Sequence, residues 1–195
     1  HGSILQWADR VYVFYHLHTN RSQFSRQACA VEIFMDEQGH FKQVEVTSCG
    51  LNGQPLRGLG EYEARIACNL RAKSGTRFYL AFRHFHPKEP YFTQTGLDRD
   101  DRPDQYIANM RDGSIAGFKH FDFSTAKSIA ISIKGTGKGE MIISNDGMEV
   151  AAIRVEPSNQ YVVHESAHSE MKGIHPLYFK FVGSGSIDFK SFEIK

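Results

Sequence analysis

The chain has no excess of either charge: 23 Lys+Arg stand against 22 Asp+Glu, a formal charge of +1. A near-neutral chain lacks the electrostatic footprint of a nucleic-acid binder and has no basic block for an acidic membrane surface. No run approaches the roughly 20 apolar residues of a transmembrane helix. The N-terminal residues lack the charged-then-apolar pattern of a signal peptide, so no address is expected from them. Cysteine is scarce. Cys29, Cys49 and Cys68 are odd in number and form no C-x-x-C pair, so they read as small buried hydrophobes, with one bridge compatible with the count. The 195 residues suit one domain or two small ones, and can bury a core without disulfides.

What is abundant is aromatic: 15 Phe and 8 Tyr against one Trp. Such side chains fit the pleated surface of sheets. Residues 1–50 read as four short strands, at 3–6, 11–16, 28–35 and 42–47, with a hairpin at Asp36-Glu37-Gln38-Gly39. Val44 and Val46 alternate with Glu45 and Thr47 in the last of them. Four strands in about 50 residues is the size of one propeller blade, which cannot bury both faces alone. Residues 50–60 hold four glycines and a proline, and 51–60 are expected as a linker.

From residue 61 to 195 the β pattern resumes. Ile129, Ile131 and Ile133 alternate with smaller residues as in a half-buried strand. Residues 139–144 turn through Asn145-Asp146-Gly147 into 150–155, because Asp-Gly suits a tight hairpin. Residues 177–182 and 186–194 form a last pair across Gly183-Ser184-Gly185-Ser186, with further strands at 106–109 and 117–123. No stretch after Asp112 has a helical period. Eight or so strands in about 130 residues predict a β-sandwich, with jelly roll the leading topology. The expected class is therefore all-β: one four-stranded propeller-type blade followed by a jelly-roll β-sandwich.

Short motifs carry little chemistry. His164-Glu165-Ser166-Ala167-His168 fits H-E-x-x-H, which grips zinc only on a helix, where residues four apart share a face. On a strand the two His lie about 13 Å apart, and Tyr161-Val162-Val163 favours a strand. A zinc hydrolase is the most distant reading. Gly135-Thr136-Gly137-Lys138-Gly139 lacks phosphate-loop spacing and reads as a glycine-rich hairpin. Asp98, Asp100, Asp101 and Asp104 crowd a loop with Arg99 and Arg102, which neutralises itself more readily than it takes calcium. His84 and His86 read as surface residues.

Two long segments say more. The opening, with "HGS", "YVFYH" and "SRQACAVEI", resembles the last blade of a glycoside hydrolase family 43 propeller, over about a quarter of the chain. Residues 61–195, with "DQYIANMRDGSIAGFKHFDF" and "GIHPLYFKFVGSGSIDFKSFEI", are similar to family 6-like carbohydrate-binding modules. The resemblance implies a parent five-bladed enzyme that hydrolyses xylose- or arabinose-containing glycans such as xylan and arabinoxylan. It implies extracellular or periplasmic work on plant cell-wall polysaccharide. One carboxylic acid would protonate the leaving oxygen and one carboxylate would activate water. In the family these groups come from earlier blades, so this portion is expected to be inactive alone.

Residue by residue, His1 matches the family's axial histidine and Arg26 an arginine lining the sugar subsite. Neither is catalytic by itself. Tyr106 matches the module's first stacking aromatic, Tyr161 lies near the second, and Asp188 stands where an Asn hydrogen-bonds the sugar. Sugar binding needs a flat aromatic face plus a few fixed polar groups. The family's calcium would draw on Glu61 or Glu63 and on a last-strand Asp. Lys190 stands in that Asp position, and a cation there opposes the ion. The alternative reading is a non-binding module that packs against the missing part of a propeller.

Overall fold

The computed structural model describes residues 2–22, 24–75, 88–96 and 103–195. Three strands open the chain: β1 (Ser3–Trp7), β2 (Arg10–His18) and β3 (Arg26–Ile33). They form an antiparallel meander in the order β1-β2-β3. Its apolar side chains divide between burial and exposure. Tyr12, Ala30, Val31 and Ile33 are buried, whereas all five residues of β1 are exposed. The Asp36 carboxylate shapes the following turn by accepting the backbone N–H groups of Gln38 and His40.

The expected fourth strand at 42–47 does not form. After a bridge between Met35 and Phe41, and a bond from the Lys42 N–H to the Phe34 carbonyl, the ladder stops. Long-range ties draw the chain away. Glu45 pairs with Lys119, and the Ser48 N–H donates to the Lys119 carbonyl at 2.8 Å. Cys49 enters the main core. The local alternation of Val44 and Val46 yields to these contacts.

The expected linker at 51–60 is likewise built into the sandwich. β4 (Leu56–Arg57) buries Leu56, and β5 (Gly60–Glu63) and β6 (Asn69–Arg71) follow. Then come β7 (Tyr91–Gln94), β8 (Gln105–Met110), β9 (Ile115–Phe123), β10 (Ser128–Gly135), β11 (Lys138–Asn145) and β12 (Met148–Val155). The last are β13 (Ser158–Ala167), β14 (Gly173–Ser184) and β15 (Ile187–Ile194). β4 lies parallel to β9, with Leu56 opposite Phe121. The Gly58 backbone comes so close that a Cβ there would sit 2.3 Å from the Asp122 carbonyl oxygen, so only glycine fits.

Two six-stranded sheets face each other. One runs β13-β10-β15-β8-β7 with β5 added on β15; the other runs β12-β11-β14-β9-β4 with β6 added on β9. Ile129, Ile131, Ile133, Phe189 and Phe192 from the first meet Phe118, Phe121, Phe179 and Phe181 from the second. Phe118 sits 4.7 Å from Phe192 and edge-on to Phe179 at 5.4 Å, between ring centroids. Such pairs add about 0.5–1.5 kcal/mol beyond their area burial. This is the expected β-sandwich.

Bulges set which side chains leave the core. Between His175 and Leu177 of β14, β9 carries one residue more, so both Phe118 and Phe121 point inward. β15 carries an extra residue against β10 between Phe189 and Ser191, which is Lys190. β8 carries an extra residue against β15, and Asn109 there has a left-handed φ of 59°. Both of these last bulges open onto the outer face of the first sheet.

Candidate functional site

That outer face gathers the three residues expected to bind sugar. β13 supplies Tyr161, β8 supplies Tyr106, and β15 supplies Asp188 between them. The Tyr106 and Tyr161 rings meet edge to face, with centroids 6.1 Å apart and planes 73° apart. They do not form two parallel walls. One ring presents its flat face to the edge of the other.

Asp188 is positioned by the β8 bulge. The Asn109 N–H, turned out of the ladder by its left-handed backbone, donates to Asp188 Oδ1 at 3.0 Å. Asn109 is itself held, since its side-chain Nδ2 donates to the Glu89 carbonyl at 3.0 Å and its Oδ1 accepts from Arg111 Nε at 3.0 Å. A carboxylate fixed in this way keeps acceptor positions for donors from outside.

Two cations frame the rings. The Lys134 ammonium lies 5.3 Å from the centre of Tyr106 and 4.7 Å from that of Tyr161. Lys190 lies 5.3 Å from the Tyr161 centre and pairs with Asp104 at 2.9 Å. Burial, then the Asp188 carboxylate, push both phenols above their ordinary pKa. Both tyrosines are therefore neutral hydrogen-bonding groups at any physiological pH. The Tyr161 hydroxyl is shielded from solvent and has no protein partner.

His1, His84, His86, Asp98, Asp100 and Asp101 fall outside the described residues. Arg26 is exposed at the start of β3, opposite His18. Glu63 pairs with Arg65, and Glu61 stands opposite Glu193 across the β5–β15 ladder. With Lys190 committed to Asp104, this donor set does not fit calcium. Among the described residues no group of three or more His, Cys, Asp and Glu gathers.

The H-E-x-x-H reading fails on geometry. His164 lies within β13 and His168 just past its end, so the helical spacing zinc needs is absent. Glu165 is engaged by Ser128 Oγ at 2.6 Å and by Lys195 Nζ at 2.9 Å.

A second concavity of about 460 Å³ lies where β2 and β3 approach the sandwich, lined by Tyr15, Gln27, Cys29, Ser48, Arg65 and Cys68 among others. Burial drives the Tyr15 phenol up to about 12 and raises the Cys29 and Cys68 thiols above their ordinary range. All three cysteines are free thiols.

Lys134 was not singled out in the sequence, although the Ile129, Ile131, Ile133 alternation already placed it at the end of a strand beside the outer face. No strand was expected at Tyr91–Gln94, whose Tyr91 and Thr93 alternate with buried Phe92.

No family model matches the chain. A curated relative, a xylosidase/arabinosidase of Thermoclostridium stercorarium, is 43% identical over 197 residues, covering 100% of this chain. The chain spans 41% of that relative's length. A family 43 arabinoxylan arabinofuranohydrolase from Bacillus subtilis, solved with cellotetraose, superposes on 100% of this chain and 40% of its own. Its TM-score is 0.65 at 17% identity. A family 6 carbohydrate-binding module from Clostridium cellulolyticum, solved with xylose, covers 71% of this chain and 98% of its own, with TM-score 0.54 at 14% identity. The structural matches share the fold of the sandwich and, in the Bacillus subtilis enzyme, of the whole chain.

Proposed function

We propose that this chain, which resembles the C-terminal part of a family 43-like glycoside hydrolase with a family 6-like carbohydrate-binding domain, supplies a last propeller blade and a glycan-binding module. The parent enzyme acts on xylose- and arabinose-containing plant glycans, outside the cell or in the periplasm, where such polymers are met. The name of the curated relative supports this substrate class.

The observation that carries the binding role is the gathering of Tyr106, Tyr161 and Asp188 on one outer sheet face. One half-buried ring offers an apolar surface, and the Asp188 carboxylate offers a polar group beside it. Hydrolysis is left to the parent's other blades. It needs two carboxylates about 6.5–9.5 Å apart with room for water between them. Here Asp188 is held by a backbone N–H and Asp104 by Lys190. Affinity electrophoresis through gels with soluble arabinoxylan tests the reading. Retardation lost in Tyr106→Ala supports it, and unchanged mobility of the natural chain refutes it.

One observation favours a second reading. β1 exposes Ile4, Leu5 and Trp7, the last at 70%. A sheet with so much apolar surface open to water is suited to cover by another part of a propeller. In this reading the module is a non-binding spacer.

A further inference from the structure

The binding face does not end at its edge strand. β7 is closed by the turn that joins β2 to β3 in the blade. The Asn20 N–H donates to the Phe92 carbonyl at 2.8 Å, and Thr93 Oγ1 donates to Asn20 Oδ1 at 2.5 Å. The Arg21 guanidinium lies 4.1 Å from the centre of the Tyr91 ring, and its Nη2 donates to the Glu89 carbonyl at 3.3 Å.

Register shows which face these contacts share. Thr93 is the cross-strand partner of Tyr106, so the two side chains lie on the same side of the sheet. Tyr91 is two residues from Thr93 and lies on that side too. Asn20 and Arg21 therefore continue the row Tyr161, Lys134, Asp188, Tyr106, Thr93 onto the blade. Four strand spacings of roughly 4.8 Å separate β13 from β7, about 19 Å, and the blade turn extends the row by about one spacing more.

The turn is braced from within. The Thr19 N–H reaches the Ser25 carbonyl at 2.9 Å, their hydroxyls meet at 2.7 Å, and Asn20 Nδ2 donates to Ser25 Oγ at 2.9 Å. The Phe24 N–H donates to Ser22 Oγ at 3.1 Å. On this braced turn Phe24 stands 85% exposed, more than any other large hydrophobic among the described residues.

We propose that Phe24, with Asn20 and Arg21, forms the far end of the glycan-binding face, so that its occupant is an extended glycan chain crossing from sandwich to blade rather than a single sugar. This inference rests on the binding role proposed above. The braced turn supplies a pre-ordered aromatic at little ordering cost, which is where a stacking group is most effective. A face about 19 Å wide is filled by several sugar units in a row.

Isothermal titration of the full chain with xylotriose and with xylohexaose tests it, using Phe24→Ala and Tyr106→Ala. The natural chain is expected to bind the hexaose at least tenfold more tightly than the triose. Phe24→Ala, at an exposed position that leaves folding intact, abolishes that gain and leaves triose affinity unchanged. Tyr106→Ala weakens both. Equal affinity for the two sugars, or an unchanged hexaose affinity in Phe24→Ala, overturns the shared face while leaving the binding role standing. No binding of either sugar by the natural chain overturns both.

Discussion

Tyr106 and Tyr161 meet edge to face at 6.1 Å, with the Lys134 ammonium over both rings at 5.3 and 4.7 Å. On the proposed binding face, a pyranose would compete with that ammonium for aromatic surface. A cation over an exposed ring is worth about 0.5–1 kcal/mol. Lys134→Ala removes the competitor, and affinity for neutral xylo-oligosaccharides is expected to rise about two- to fivefold. A loss of affinity by titration calorimetry would instead make Lys134 a group that holds the sugar.

Asp188 accepts the Asn109 N–H that the β8 bulge turns out of the ladder. Removing the acceptor strands that donor, at about 1–3 kcal/mol. Asp188→Ala should therefore lower stability by that amount in urea unfolding. Asp188→Asn keeps an oxygen in place and should cost less than half as much. Equal losses in the two variants would show that the bond to Asn109 contributes nothing.

Phe179 packs against Phe118, Phe189 and Phe192 at 5.4, 5.3 and 4.9 Å between ring centroids. It joins the two sheets of the sandwich. Truncation to alanine leaves a cavity and is expected to destabilise by about 3–5 kcal/mol. A loss under about 1 kcal/mol would mean that the two sheets are not held by this cluster.

His175 is held at both ring nitrogens by acceptors: Asp146 Oδ2 on Nδ1 and the Lys172 carbonyl on Nε2, each at 2.8 Å. The Asp146 bond, foremost, raises its pKa above the ordinary histidine value. A raised folded-state pKa contributes stability that is fully present below the unfolded value, about 6.5, and is lost as pH rises through the folded value. The gap in urea midpoint between the natural chain and His175→Gln should be larger at pH 5.5 than at pH 8.5. The same gap at both values contradicts the clamp.

Legibility followed the length and pairing of each element. Ile129, Ile131 and Ile133 face the core as their alternation requires, and the turn at Asp146 and Gly147 takes the positive φ values that an Asp-Gly hairpin needs. β4, β5 and β6 were not legible. Two to four residues carry no period, and each forms because β9 or β15 offers a partner. Residues 42–47 show the converse, a local strand pattern overridden by Lys119, more than 70 positions away. Within the site, Tyr106, Tyr161 and Asp188 could be named from family resemblance. The roles of Asn109 and Asn20 could not, because each depends on a contact more than 70 residues distant along the chain.

The most direct test of the central claim follows the backbone amides of the isotope-labelled chain while xylotriose is added. The account predicts chemical-shift changes centred on Tyr106, Asp188 and Tyr161, spreading to Asn109 through its bond to Asp188. Changes confined to the concavity beside Cys29 and Cys68, or none at millimolar sugar, would contradict a binding site on the outer sheet face.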